Sequence, residues 1–147
     1  PATGDCMVDE RLQAAYLVRY FLLAIANGKV EKCFWHQLIA PGYGLIDNRD
    51  GQLRKRPAYD SFKTLINLFD GGRVIRFTRD QHQLYRLRVH NQRGLVEAVW
   101  ANGNEHDIIL ESQWRAHGQT GAALPRNTNA KLHVSDEVVY LLNYANG

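Results

Sequence analysis

A chain of 147 residues with an apolar share of 45% and a charged share of 22% can bury a core without disulfides or metals, as one domain or two small ones. No uninterrupted apolar stretch approaches the roughly 20 residues that span a bilayer, which excludes a helical membrane protein. The formal charge of +3 is spread along the chain, and its densest cluster, Arg54-Lys55-Arg56, falls short of the basic tract of a nucleic-acid binder. The cysteines, Cys6 and Cys33, match no zinc spacing and do not fix a redox compartment. Pro1-Ala2-Thr3-Gly4-Asp5 has neither the basic nor the apolar region of a signal peptide.

The first predicted element is a helix over residues 9–26. Asp9 can cap its start, Glu10 suits its first turn, and Asn27-Gly28 stands at its stop. Between residues 14 and 26 the only charge is Arg19, so apolar side chains cover most of the circumference. Such a helix is expected to be buried on more than one side. Residues 30–39 (VEKCFWHQLI) then read as a buried strand between Gly28 and Pro41-Gly42. Alternation puts Cys33, Trp35 and Gln37 on one face and Phe34, His36 and Leu38 on the other. After a loop rich in Gly, Asn and Asp, a second helix starts at Pro57 and ends at Asp70-Gly71-Gly72. Its apolar stripe is Tyr59, Phe62, Leu65, Ile66 and Phe69.

Beyond Gly72 the pattern changes to short strands: 84–89, 95–100, 108–110, 131–134 and 138–142. Asn91 to Gly94 and Asn102-Gly103-Asn104 supply turn chemistry between them. The run Leu84-Tyr85-Arg86-Leu87-Arg88-Val89 alternates as a strand with one wet face should. Residues 115–129 read as loop with room for one irregular strand. Strands at this spacing argue for an antiparallel sandwich.

The order of helix, strand carrying Phe34-Trp35, glycine-rich loop, helix and short strands resembles the end of clan A glycoside hydrolases, closest to family 39 and its relatives in exopolysaccharide gene clusters. The matching residues are Gly44-Leu45-Ile46-Asp47 after the last barrel strand and Pro57-Ala58-Tyr59 at the eighth helix. In the accessory sandwich they are Ala98-Val99-Trp100-Ala101-Asn102-Gly103 and the closing run from Leu132 to Leu141. Family members often carry Pro where this chain has Val138. The resemblance implies an α+β chain: two helices and one strand from the end of a (β/α)8 barrel over residues 1–72, followed by an antiparallel β-sandwich over 73–147. It also implies a parent that cleaves the glycosidic bonds of a polysaccharide with retention and without a cofactor.

A retaining glycosidase needs two carboxyl groups about 5 to 5.5 Å apart. In the resembled family they lie at the ends of barrel strands four and seven, upstream of this chain. No catalytic residue is therefore assigned here, and the chain alone is expected to be inactive. Glu10 belongs to a helix start, Glu31 to a strand start, Asp47 and Asp50 to a loop, and Asp136-Glu137 to a turn. What the last strand can offer is a substrate-binding surface. Trp35 could stack on a sugar ring or fill core, Gln37 could meet a hydroxyl, and Tyr43 could line the cleft or pack locally. His36 is expected to be a core histidine facing the helices. The other five, His82, His90, His106, His117 and His133, show no ligand spacing, and no metal is expected.

The expected partner is a polysaccharide or oligosaccharide met through the parent enzyme, with no nucleic acid and no membrane. A lone barrel strand leaves open edges, so either a homo-oligomer through the exposed barrel remnant, covering the first helix, or a rearranged amino-terminal half is expected. Localisation is unassigned for this chain; the resemblance points to a periplasmic or secreted parent. Two rival readings stand beside the hydrolase: a free-standing carbohydrate-binding or protein-interaction β-sandwich module, and a small intact enzyme using Asp47 or Asp50 with His36.

Overall fold

In the computed structural model, which describes residues 9–125 and 131–144, helix α1 (Glu10–Asn27) forms where the sequence predicts it. Asp9 caps it by accepting the Arg11 N–H at 2.8 Å. Gly28 ends it in the left-handed region at φ 67°, its N–H donating to the Ile25 carbonyl. Cys6, the opening residues 1–5 and residues 126–129 of the expected loop 115–129 lie outside the described residues. Among the described residues no helix is long and apolar enough to cross a bilayer.

A short ladder of β1 (Ile46–Asp47) and β2 (Arg54–Lys55) precedes α2 (Pro57–Phe69), which starts on its proline as predicted. The two helices pack with Phe21 against Phe62, ring centroids 4.8 Å apart. The predicted stripe of α2 is shifted at one place: Ile66 is exposed and Leu68 is buried instead. The Asn91 side chain fixes the helix end to the sheet by donating to the Leu68 carbonyl at 2.8 Å.

Seven strands follow: β3 (Arg73–Arg79), β4 (Leu84–Asn91), β5 (Gly94–Ala101), β6 (His106–Ile109), β7 (Arg115–His117), β8 (Lys131–Val134) and β9 (Val139–Tyr144). They make an antiparallel five-stranded sheet in the order β3-β4-β5-β9-β7, and a separate antiparallel pair, β6 with β8. The molecule is thus mixed α+β with antiparallel sheets, as the sequence predicts. Strand β3 is an addition to that prediction. Its register slips between Val74 and Arg76, so the alternation that marks a strand is broken in its middle.

Three layers result, because successive residues of a strand face opposite ways. Along β5, Val96, Ala98 and Trp100 join Leu17, Leu22, Leu65, Leu87 and Tyr140 in a core shared with the helices. Val99 and Ala101 instead meet Ile108, Trp114, Leu132 and Val134 beneath the β6–β8 pair. Trp100 and Trp114 are both buried, as core packing predicts. The first core joins residues on both sides of Gly72. Removing a side chain such as Leu17 from it would cost about 2–5 kcal/mol.

Two expectations are corrected. Residues 30–39 form no strand. Their only ladder contact is an isolated parallel bridge from Ile39 to Ile46, and Val30, Phe34, Leu38 and Ile39 are exposed. A strand requires a neighbour for its N–H and C=O groups along its length, and among the described residues β1 meets this stretch only at its end, where the Ile46 N–H donates to the Leu38 carbonyl at 2.9 Å. Helix α1, in turn, is buried on one broad side. Tyr16, Tyr20 and Leu23, spaced i, i+4 and i+7, remain in solvent at 54%, 53% and 43% exposure.

Candidate functional site

The exposed stripe of α1 and the segment after it enclose a cleft of about 470 Å³, lined by Gln13, Tyr16, Tyr20, Phe34, Trp35, His36, Gly42 and Tyr43. Six of these eight carry rings. Trp35 is half-buried against the helical core, and its indole N–H is shielded from solvent without a hydrogen-bond partner among the described residues. Phe34 stands out at 79% exposure. The His36 and Tyr43 rings lie parallel within 3°, centroids 6.3 Å apart. Deeper in, the Cys33 thiol beside Tyr20 pushes its phenol up, and the Arg19 guanidinium lies 4.9 Å from the Tyr16 ring centre.

The loop that carries Tyr43 is held by a buried ionic cluster. Arg56 donates to the Gly42 carbonyl at 2.7 Å, to the Gln13 side-chain oxygen at 3.3 Å and to Asp47 at 3.0 Å. Gln13 passes the chain on by donating to the Tyr43 carbonyl at 2.7 Å. Asp47 also receives the Arg49 guanidinium, at 2.7 Å for its shortest contact, and Arg54 at 3.2 Å. Arg54 forks onto Glu10 of α1 at 2.5 and 3.0 Å. Gly44 is required in this loop: a Cβ there would lie 2.4 Å from the Ala40 nitrogen.

Asp47 is therefore an anchor. The Arg49 guanidinium, helped by Arg56, holds its carboxyl well below the usual carboxylate range, and Arg54 likewise lowers Glu10. A carboxylate with its lone pairs taken by three arginines has no proton to donate and no free oxygen to act as a base, which argues against Asp47 as an acid or base.

Of the residues the sequence singles out for binding, Trp35 and Tyr43 come together in the cleft. Gln37 does not line it: its φ of 62° is left-handed, which breaks the alternation that would have set it beside Trp35. His36 is corrected from a core position to an exposed one stacked on Tyr43, because the segment that should have buried it is not in a sheet. Sequence reasoning missed Tyr16, Tyr20 and Gln13. The available signal was the pair of tyrosines four apart on α1, whose hydroxyls suit a face with a wet edge. No protein-family model matches this chain, and no curated protein or solved structure matches it.

Proposed function

We propose that this chain is the C-terminal part of a retaining glycoside hydrolase of the clan A, family 39-like kind, acting on a polysaccharide, with its catalytic glutamates upstream. In this reading residues 30–39, which form no strand in the isolated chain, take up the place of the last barrel strand once neighbouring strands pair with them, α1 and α2 are its flanking helices, and the β half is the accessory sandwich. The observation that carries it is the solvent exposure of the apolar side chains on a segment that meets a sheet at a single bridge. Leu38 and Ile39 lie outside the cleft lining, yet they are 54% and 45% exposed next to Phe34 and Val30. A segment with that composition and so little ladder pairing suits enclosure by neighbouring strands, each apolar side chain gaining roughly 1.5–3 kcal/mol when covered.

The upstream coding sequence tests this directly. The expected finding is an Asn-Glu at a fourth-strand position and a second Glu shortly before Pro1. A start codon with no barrel ahead of it overturns the proposal.

A second reading, the free-standing carbohydrate-binding module, is favoured by the aromatic cleft itself. Rings of Trp35, Phe34 and Tyr43 in one concave surface suit the apolar face of a sugar. Titrating the chain with neutral oligosaccharides while following indole fluorescence tests it. Saturable quenching that disappears in Trp35→Ala supports the module; an unchanged signal removes it.

A further inference from the structure

The β3–β4 side of the five-stranded sheet that faces away from the helices presents arginine in place of apolar residues. Register aligns Arg73 with His90, Arg76 with Arg88, and Thr78 with Arg86, so these side chains share one face. The β6–β8 pair covers the β5, β9 and β7 end of that face and leaves this end open. One carboxylate lies among the four guanidinium groups. Glu97, on β5 opposite Arg88 and only 2% exposed, receives Arg86 at 2.8 Å and the Arg88 Nε at 2.6 Å. The Trp114 ring, 5.3 Å from the Arg88 guanidinium carbon, holds that group from the other side. Arg73 and Arg76 are exposed and have no ion pair among the described residues.

Like charges directly opposite across a strand pair destabilise it. Arg76 opposite Arg88 is such a pair, and Glu97 is already shared between Arg86 and Arg88. Edge protection against pairing with another sheet accounts for charge on β3, which is an edge strand. It does not account for Arg86 and Arg88 one strand further in, nor for fixing them on a buried acid. A planar guanidinium held in place is suited to bidentate recognition of a carboxylate or similar oxyanion.

We infer that this arginine face docks an acidic polysaccharide, whose carboxylates meet Arg73 and Arg76 with Arg86 and Arg88 behind them. The polysaccharide as the anion's carrier rests on the hydrolase reading; the demand for an anion rests on the sheet alone. Nucleic acid fits less well, because the exposed Phe77 of β3 lies on the opposite face, paired with Leu87, and Trp114 beside Arg88 is buried, so neither ring is presented among these arginines to stack a base.

Affinity electrophoresis of the 147-residue chain through gels containing polygalacturonate, neutral dextran or duplex DNA tests this. The expected result is retardation by polygalacturonate that weakens with added salt, none by dextran, and weaker retardation by DNA. Affinity should fall about tenfold or more in the Arg73→Ala/Arg76→Ala double variant, and partly in Arg76→Gln, with unchanged thermal unfolding. Absence of retardation, equal retardation of wild type and variants, or preference for DNA overturns the inference. An upstream frame without a barrel would remove the hydrolase reading while leaving the gel result standing, so the two fail separately.

Discussion

Replacing Arg56 by glutamine is the sharpest perturbation of the loop that shapes the cleft. Its side chain is 3% exposed and faces an Asp47 side chain that is 6% exposed. Deleting one member of a buried ion pair ordinarily costs about 3–5 kcal/mol, because the other charge is left without compensation. Here Asp47 keeps Arg49 and Arg54, which lowers the expected loss. The Gly42 carbonyl, however, also loses its donor. The two corrections leave a loss of about 2–3 kcal/mol, or roughly 4–12 °C in the unfolding midpoint of a domain of this size. Thermal and urea unfolding followed by circular dichroism measure it. Arg54→Gln is the control: its side chain is 53% exposed, and its replacement should move the midpoint much less. Equal, small shifts in the two variants would refute the view that the buried cluster, and not surface charge, secures the loop.

Two further outcomes follow from the same structure. Asp47 and Glu10 have folded pKa values held below their unfolded ones by arginines. Their contribution is therefore complete above the unfolded carboxylate range near pH ~4 and is withdrawn as pH falls below it. Urea midpoints measured from pH 6 down to pH 2 should drop more steeply for wild type than for Asp47→Asn, and parallel curves would contradict the assignment. Separately, the exposed apolar run predicts self-association of the isolated chain. In sedimentation velocity, Phe34→Ser combined with Tyr20→Ser should shift the population toward monomer by about tenfold or more in association constant, leaving the unfolding midpoint nearly unchanged. A wild-type chain that is monomeric at high concentration would oppose this.

The elements read most plainly in the sequence are those with a local chemical signal. Asp9, Asn27-Gly28 and Pro57 mark helix ends through capping and fixed φ, which depend on neighbouring residues only. Strand β4 shows alternation because one face meets the helices and the other carries its arginines, whereas β5 reads as a near-continuous apolar run because both of its faces are buried. Strand β3 was hidden because its bulge at Ile75 and the arginines at 73, 76 and 79 give it a spacing of three. The segment 30–39 misled for the opposite reason. A short apolar run has the same composition whether it lies between strands or waits uncovered on a surface, and periodicity cannot separate these. Trp35 and Tyr43 could be named from their position after a strand-like run. Tyr16 and Tyr20 offered only their spacing of four and their hydroxyls as a signal, because an otherwise apolar helix gives little sign of which side its own chain will cover.

That ambiguity bears on how the two functional readings differ physically. A cleft evolved only to hold a sugar needs rings at its wall and polar groups at its rim; it has no use for aliphatic side chains outside the wall. Leu38 and Ile39 are such side chains, exposed outside the cleft lining on a segment that meets β1 at a single bridge. Enclosure explains them and the Tyr16, Tyr20 and Leu23 stripe together, as exposed apolar side chains that adjoining strands and helices would cover. The buried Arg56–Asp47 cluster fits either reading, since both need the loop from Gly42 to Asp47 in a fixed shape. The weight therefore falls on the two aliphatic residues. If contact with neighbouring strands dries Leu38 and Ile39, the aromatic rings beside them would be left at the edge of the closed sheet, where barrel clefts form.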